Sequence, residues 1–264
     1  LPSAIFFVPV AAEFDELAVA HVMDNINKLY ESSPSERYPL VCCDIQGFLR
    51  TFEPPEDDSS SGLSVTSHPS VVMKEKLKIL GEHVFLLKAD LNEANAVLRD
   101  DQSSELVLSP YECAKRMHKL FGFKVVCVTM GPQGCLVSCK ANNHQVFIRG
   151  SHDHSAEDNK EEVISEYINA YQPKHTVDET GCGDTFLACL VAELLFALNT
   201  NQSTGSEQKR DYLHTEQLFN AVRMSCAATS YVVECYGPHG FSSRQMATKR
   251  VQEGHIIKSG IEMK

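Results

Sequence analysis

The chain has 264 residues, 43% apolar and 22% charged, and a formal net charge of −11 at neutral pH. That length supports a substantial core, as one large domain or two small ones. The acidic balance argues against nucleic acid or an anionic membrane surface as the main partner, although it leaves room for a local phosphate site.

Ile5 to Val10 reads as a short buried strand, and residues 13–30 follow with helical spacing of Phe14, Leu17, Ala18, His21, Val22 and Ile26. A polar connector at 31–39 leads to a second strand, Leu40 to Ile45. The segment 53–67, rich in Ser, Asp and Pro, reads as a mobile loop. Val71 to Leu80 is expected to be helical, Val84 to Lys88 a third strand, and Asn92 to Leu98 the opening of another helix. Ser109-Pro110-Tyr111-Glu112 has the form of a capping box with Pro at the first helical position, and Gly122 would end that helix.

Lys124 to Met130 is a fourth strand. Cys135 to Ser138 and Gln145 to Ile148 look like strands paired with each other around Ala141-Asn142-Asn143. An acidic, histidine-bearing loop covers 151–162, and helices are expected at about 181–199 and 215–235, separated by a polar insert at 200–214. Strand–helix alternation of this kind predicts an α/β sandwich with a mostly parallel sheet, whose ligands bind at the carboxyl ends of the strands.

The longest apolar run, Phe186 to Leu198, contains Glu193 and is too short to span a bilayer. No secretory or transit signature opens the chain. The cysteines show no Cys-x-x-Cys spacing, and Cys127, Cys189 and Cys226 sit inside apolar runs, where free cysteine behaves as a small hydrophobe. This points to a reducing, cytoplasmic compartment and no structural zinc.

The chemistry-bearing stretch is Asp178-Glu179-Thr180-Gly181-Cys182-Gly183-Asp184-Thr185-Phe186, which runs directly into an apolar helix. The first N–H groups of a helix lack intrahelical partners, and the dipole makes that end attractive to anions. Glycines there let a phosphate approach the backbone closely. A carboxylate such as Asp184 repels phosphate, so it makes more sense as a base that takes a proton from an attacking hydroxyl. The same residues also serve as ordinary capping and turn residues. Neither a Walker-type loop nor a third glycine completing a dinucleotide fingerprint is present.

Three further segments end strands of the expected sheet. Val126 to Gly134 ends in glycines suited to close approach by a nucleotide, or to a plain turn. Leu86 to Glu93 presents Asp90 and Glu93, which suit a hydrated Mg²⁺ as well as they suit a helix N-terminus. Cys43 to Arg50 ends a strand in Asp44 and places Gln46 and Arg50 beyond it, Arg50 facing either a phosphate or solvent.

In this order the four segments resemble the ribokinase-like, or PfkB, carbohydrate kinase family. The residues that carry the resemblance are Asp44-Ile45-Gln46-Gly47-Phe48-Leu49-Arg50, Leu87-Lys88-Ala89-Asp90-Leu91-Asn92-Glu93, Thr129-Met130-Gly131-Pro132-Gln133-Gly134 and Asp178 to Phe186. The resemblance implies a ribokinase-like three-layer α/β/α sandwich with a mostly parallel central sheet, residues 1–264 forming a single domain. It also implies ATP- and Mg²⁺-dependent transfer of the γ-phosphoryl group to a hydroxyl of a sugar, polyol or related small alcohol. Asp184 then matches the family's catalytic base, and Gly181, Cys182 and Gly183 its anion hole. Glu93 falls on the family's Asn-x-x-Glu magnesium motif, with Asp90 where the Asn is usual. Thr129, Gly131 and Gly134 match the turn along the ATP ribose and phosphates. The helix Leu218 to Val233, in particular Ala221, Cys226, Ala227 and Ser230, resembles the wall of the adenine site. A monovalent cation and a homodimer are compatible with the resemblance, which calls for neither a nucleic-acid nor a membrane partner.

The chain departs from the pattern at Glu179, where a small hydroxyl residue or proline is usual, and at Cys182, where Ala or Gly is usual. Nothing before Ile5 supplies the family's first strand and β lid, so the chain is expected to be N-terminally truncated. The rival readings are a nucleotide-binding module that does not phosphorylate, and a nucleoside or vitamin kinase. His152 and His154 stand as metal ligands or solvated loop residues. Cys182 at a helix N-terminus stands as an activated thiol or simply a small residue that fits.

Overall fold

Apolar segments with no polar alternation are buried on both faces, the environment of parallel strands covered by helices. In a computed structural model, Leu40–Asp44 is such a strand, with all five residues buried. The structure describes residues 2–9, 14–33, 37–53, 64–67, 71–99, 107–148, 161–200 and 212–257. The chain divides into two units, Leu1–Val128 and Thr129–Lys264.

In the first unit β1 (Ala4–Phe7) runs parallel to β2 (Leu40–Asp44), with Ala4 opposite Leu40 and Phe7 opposite Cys43. Helix α1 (Glu16–Ser32) lies between them in sequence, and the Asp15 side chain caps it by accepting from Ala18 N–H at 2.9 Å. Strand β5 (Leu86–Asp90) runs parallel to β2 on its other side, and β6 (Val125–Thr129) is next in order. Helix α2 (Val71–His83) packs on both α1 and α4 (Pro110–Phe121), and the short α3 (Leu91–Leu98) packs on α4. Leu40, Leu77, Leu80, Leu86, Leu87 and Met117 are among the fully buried side chains.

The signals around α4 are used as expected. Ser109 accepts from Glu112 N–H at 3.2 Å, Pro110 takes the first helical position, and Gly122 ends the helix with φ of 87°. The 53–67 stretch differs from expectation, because its ends belong to a hairpin. Strand β3 (Arg50–Glu53) pairs antiparallel with β4 (Ser64–Ser67), Arg50 opposite Ser67. The Ser/Asp-rich centre of that stretch lies outside the described residues.

In the second unit β7 (Cys135–Ala141) and β8 (Gln145–Phe147) are joined by a tight turn. Asn142 and Gln145 exchange backbone hydrogen bonds of 2.9 Å, while Asn143 and His144 adopt φ of 48° and 60°. Positive φ at both central residues matches the right-handed twist of the flanking strands. Beyond this turn the expected pairing of β7 with β8 is replaced. β7 runs antiparallel to β9 (Glu162–Ile168) over seven residues, and β8 pairs with β10 (Tyr212–His214), which lies inside the expected polar insert.

Helix α5 (Cys182–Thr200) packs on α6 (Thr215–Val232), which packs on α7 (Arg244–Glu253). By length and composition alone the 19-residue α5 is long and apolar enough to cross a membrane, since it extends beyond the Phe186 to Leu198 run at both ends. One side of it (Phe186, Leu187, Leu190, Val191, Leu194 and Leu198) is buried in the protein.

Candidate active site

The turn before α5 is built by its own polar groups. Asp178 Oδ1 accepts from Thr180 N–H at 3.0 Å. Cys182 N–H donates to Glu179 C=O at 3.2 Å, and the first helical bond runs from Thr185 N–H to Gly181 C=O at 2.9 Å. Gly181 has φ of 81°, a conformation in which an L side chain would clash with the following carbonyl. The N–H groups of Gly183 and Asp184 take no backbone partner among the described residues, the condition under which a helix start attracts an anion. Hydrogen bonds from the Thr180 backbone and hydroxyl, followed by the Gly237 and Glu179 N–H groups, hold the Asp178 carboxyl below its ordinary range. Asp178 thereby ties the turn to the segment after α6. It carries no role in the sequence reading, since its use shows only when Gly237 is brought to it.

This helix start borders a cavity of about 290 Å³. Of the residues singled out in sequence, Thr129, Gly131, Gly134, Cys182, Gly183, Cys226 and Ser230 line it together. Gly181, Ala227 and Asp184 are not on its walls. Ala227 is fully buried in the core, one residue round the helix from Cys226. Asp184 is exposed in the first turn of α5.

The turn after β6 shapes another part of the wall. Met130 N–H donates to Gly134 C=O at 2.8 Å, and Gly134 N–H donates to Gly131 C=O at 3.0 Å. Gly134 has φ of 98°, and a Cβ there would lie 2.1 Å from Ile168 C=O, so no side chain fits.

The remaining walls were not legible in sequence. Tyr171, Gln172, Pro173 and Thr176 line the cavity together with Ile257 from the C-terminal segment. Gln172 N–H donates to His255 C=O and Ile257 N–H to Ala170 C=O, both at 2.8 Å, around a bridge between Tyr171 and Ile256. Only the backbone pairing of two segments about 85 residues apart reveals this wall.

The comparisons with known proteins bear on this cavity. The family model described as pfkB family carbohydrate kinase matches residues 60–244. The chain belongs to that family. Its fold is the ribokinase-like α/β one, with a mostly parallel central sheet flanked by helices. Ribokinase from Giardia lamblia superposes with a TM-score of 0.55 at 12% identity, covering 96% of this chain and 60% of that one. Arabidopsis thaliana ribokinase complexed with ribose and ATP gives 0.52 at 17% identity, with coverage of 95% and 56%. A pyrophosphate-dependent myo-inositol-1 kinase converted into a myo-inositol-3 kinase gives 0.51 at 16%, with coverage of 97% and 65%. The chain thus spans well under two thirds of the length of the two ribokinases. No curated protein matches it by sequence.

In this pfkB chain the expected magnesium pair lies in the first unit and forms a reciprocal cap on α3. Asp90 Oδ1 accepts from Glu93 N–H, and Glu93 Oε2 accepts from Asp90 N–H, each at 2.7 Å. Burial pushes the Glu93 carboxyl up to about 7, with the Asp90 charge adding to it against the lowering effects of the Asp90 N–H bond and Lys88. Nearby, Asp44 and Lys88 form a buried ion pair with Oδ2–Nζ of 2.7 Å, and Asp44 Oδ1 accepts from Gln46 N–H at 3.1 Å. Burial alone would lower the Lys88 ammonium, but the Asp44 charge and hydrogen bond outweigh it and the net shift is upward. No cluster of three or more metal-ligating side chains occurs among the described residues. The Arg50 side chain, His152 and His154 lie outside them.

The Cys182 thiol is pushed up to about 11, by burial first and then by the Glu179 and Asp178 carboxylates. The helix start does not activate it. Two negative charges and partial desolvation outweigh the dipole.

Proposed function

We propose that this pfkB-family protein transfers the γ-phosphoryl group of ATP to a hydroxyl of a small sugar, polyol or related alcohol, with Mg²⁺. The observation that carries this reading is the glycine-lined start of α5. There the N–H groups of Gly183 and Asp184 take no backbone partner among the described residues, and Gly183 lines a cavity whose other walls include the β6 turn and one face of α6. Such a helix start offers preorganised donors for phosphoryl oxygens as charge spreads over them in an open transition state. Thr129, Gly131 and Gly134 would follow the ribose and phosphates, and Cys226 and Ser230 the base. Asp184, exposed in the first turn of α5 and so able to meet a second substrate, would orient the acceptor hydroxyl and take its proton.

Asp90 and Glu93 fit a magnesium ion by donor chemistry. Each keeps one carboxylate oxygen outside the cap, and magnesium uses few protein carboxylates while retaining waters and phosphate oxygens. When bound, it would neutralise charge on the phosphates. All ten cysteines are thiols rather than disulfides, which supports placing the protein in the reducing cytoplasm.

The test is a panel of sugars, polyols and related alcohols with ATP and Mg²⁺, read as ADP released. Asp184→Asn should lower kcat by about 10²–10⁴ with little change in ATP affinity. Unchanged turnover in that variant removes Asp184 from the chemistry. ATP binding with no acceptor turned over across the panel would point to a nucleotide-binding module instead.

A further inference from the structure

Helix α7 contributes nothing to the cavity wall, yet its one buried charged residue governs two of the segments that do. Arg250 is buried beneath α6. Its Nη1 donates to Ser230 Oγ at 2.7 Å and its Nη2 to Glu234 Oε1 at 2.9 Å. Its guanidinium carbon lies 3.4 Å from the centre of the Tyr231 ring. A planar fork with several donors makes these three contacts at once, which an ammonium cannot do.

Both hydrogen-bond partners lead to the cavity. Ser230 is a lining residue, and its own hydroxyl donates to Ala227 C=O at 2.6 Å. Its oxygen is therefore fixed from both sides, as donor to the helix and acceptor from Arg250. Glu234 Oε1 also accepts from Lys174 N–H at 2.9 Å, and His175 Nε2 lies 3.0 Å from Glu234 C=O. Lys174 and His175 stand between the lining residues Pro173 and Thr176. Downstream, Gly254 caps α7 with φ of 66°, and the chain turns so that His255 and Ile257 pair with Gln172 and Ala170. One guanidinium thus sets the α6 wall against the 170–176 wall and anchors the helix that delivers Ile257.

We propose that Arg250 is a positioning residue for nucleotide affinity, holding the base-side walls in register without touching the ligand. The proposal rests on the reading of this cavity as the nucleotide site. Preorganised walls spare the ligand the cost of ordering them, so loosening them weakens binding while leaving the chemistry at α5 alone.

The experiment titrates full-length protein with ADP by calorimetry, and with ATP in the kinase assay. Three forms are compared: wild type, Arg250→Lys, and Arg250→Met combined with Glu234→Gln. The double change avoids leaving a buried charge unpaired, which is strongly destabilising, and its amide oxygen can still accept from Lys174. The double variant should bind ADP about tenfold more weakly and raise KM for ATP similarly, with kcat within about twofold of wild type. Arg250→Lys should fall between the two. A purely structural role would lower the melting temperature and leave Kd and KM unchanged well below it, and that result overturns the proposal. A fall in kcat at constant KM overturns it too. A wild-type protein that binds no ADP overturns the nucleotide reading itself, and the proposal with it.

Discussion

Glu179 is the one charged side chain among the described residues lining the cavity. It follows Asp178 in the turn that would meet the phosphates. A carboxylate about 4 Å from a phosphate oxygen in a water-like dielectric costs roughly 1 kcal/mol. Glu179 is exposed, so salt screens part of that. Glu179→Ser should therefore lower KM for ATP about three- to tenfold at low ionic strength, with the gap closing as salt is added. Steady-state kinetics in two salt concentrations decides it. A rise in KM would mean that the carboxylate holds a cation against the phosphates. Cys182 beside it needs no functional reading, because a thiol pushed up to about 11 stays protonated at neutral pH.

The turn between β6 and β7 shows how far a single glycine can fix an element. At Gly134 the positive φ coincides with a backbone carbonyl 2.1 Å from where a Cβ would sit, whereas at Gly131, also at positive φ, the space is open. Gly134→Ala should cost about 2–4 kcal/mol, because β7 must move off β9. Gly131→Ala should cost only about 1–2 kcal/mol of backbone strain. Urea unfolding of the two variants separates them, and equal losses would show that the crowding at Ile168 relaxes freely. Elements whose signals are local were legible in the sequence: β2 from the apolar run Leu40 to Cys43, α4 from Ser109, Pro110 and Gly122, α5 from the glycines before it. Strand β9 was not. Its Glu162, Ser165 and Glu166 are polar, and only β7 alongside makes it a strand. Helix α7 was missed because it buries only Ala247 and Arg250, too little for a visible apolar stripe. The site divided in the same way. Its helix start and glycine turn stood in the sequence, while the wall made by Tyr171, Gln172 and Ile257 depends on pairing between distant segments.

Titration links the Asp90–Glu93 cap to the stability of the fold. Glu93 sits at about 7 in the folded chain against an ordinary value of 4.5, chiefly through burial. Between those values the folded state holds a proton that the unfolded state has released. The folded state is then favoured by acid: the contribution is fully present below the unfolded value and is lost as pH rises through about 7. Asp178 runs the other way, since its lowered carboxyl favours the folded state above its ordinary range and loses that advantage in acid. The two windows barely overlap, so of these two groups it is Glu93 that acts between pH 5 and 8. Glu93→Gln removes the titration and keeps an acceptor for Asp90 N–H, as glutamine does in a capping box. Measured by urea unfolding with a chelator present, the variant should gain on wild type as pH rises from 5 to 8, by on the order of 2 kcal/mol. A difference that stays constant over that range would place the Glu93 carboxyl at its ordinary value. It would also mean that the reciprocal cap with Asp90 and the nearby Lys88 ammonium offset the cost of burying it.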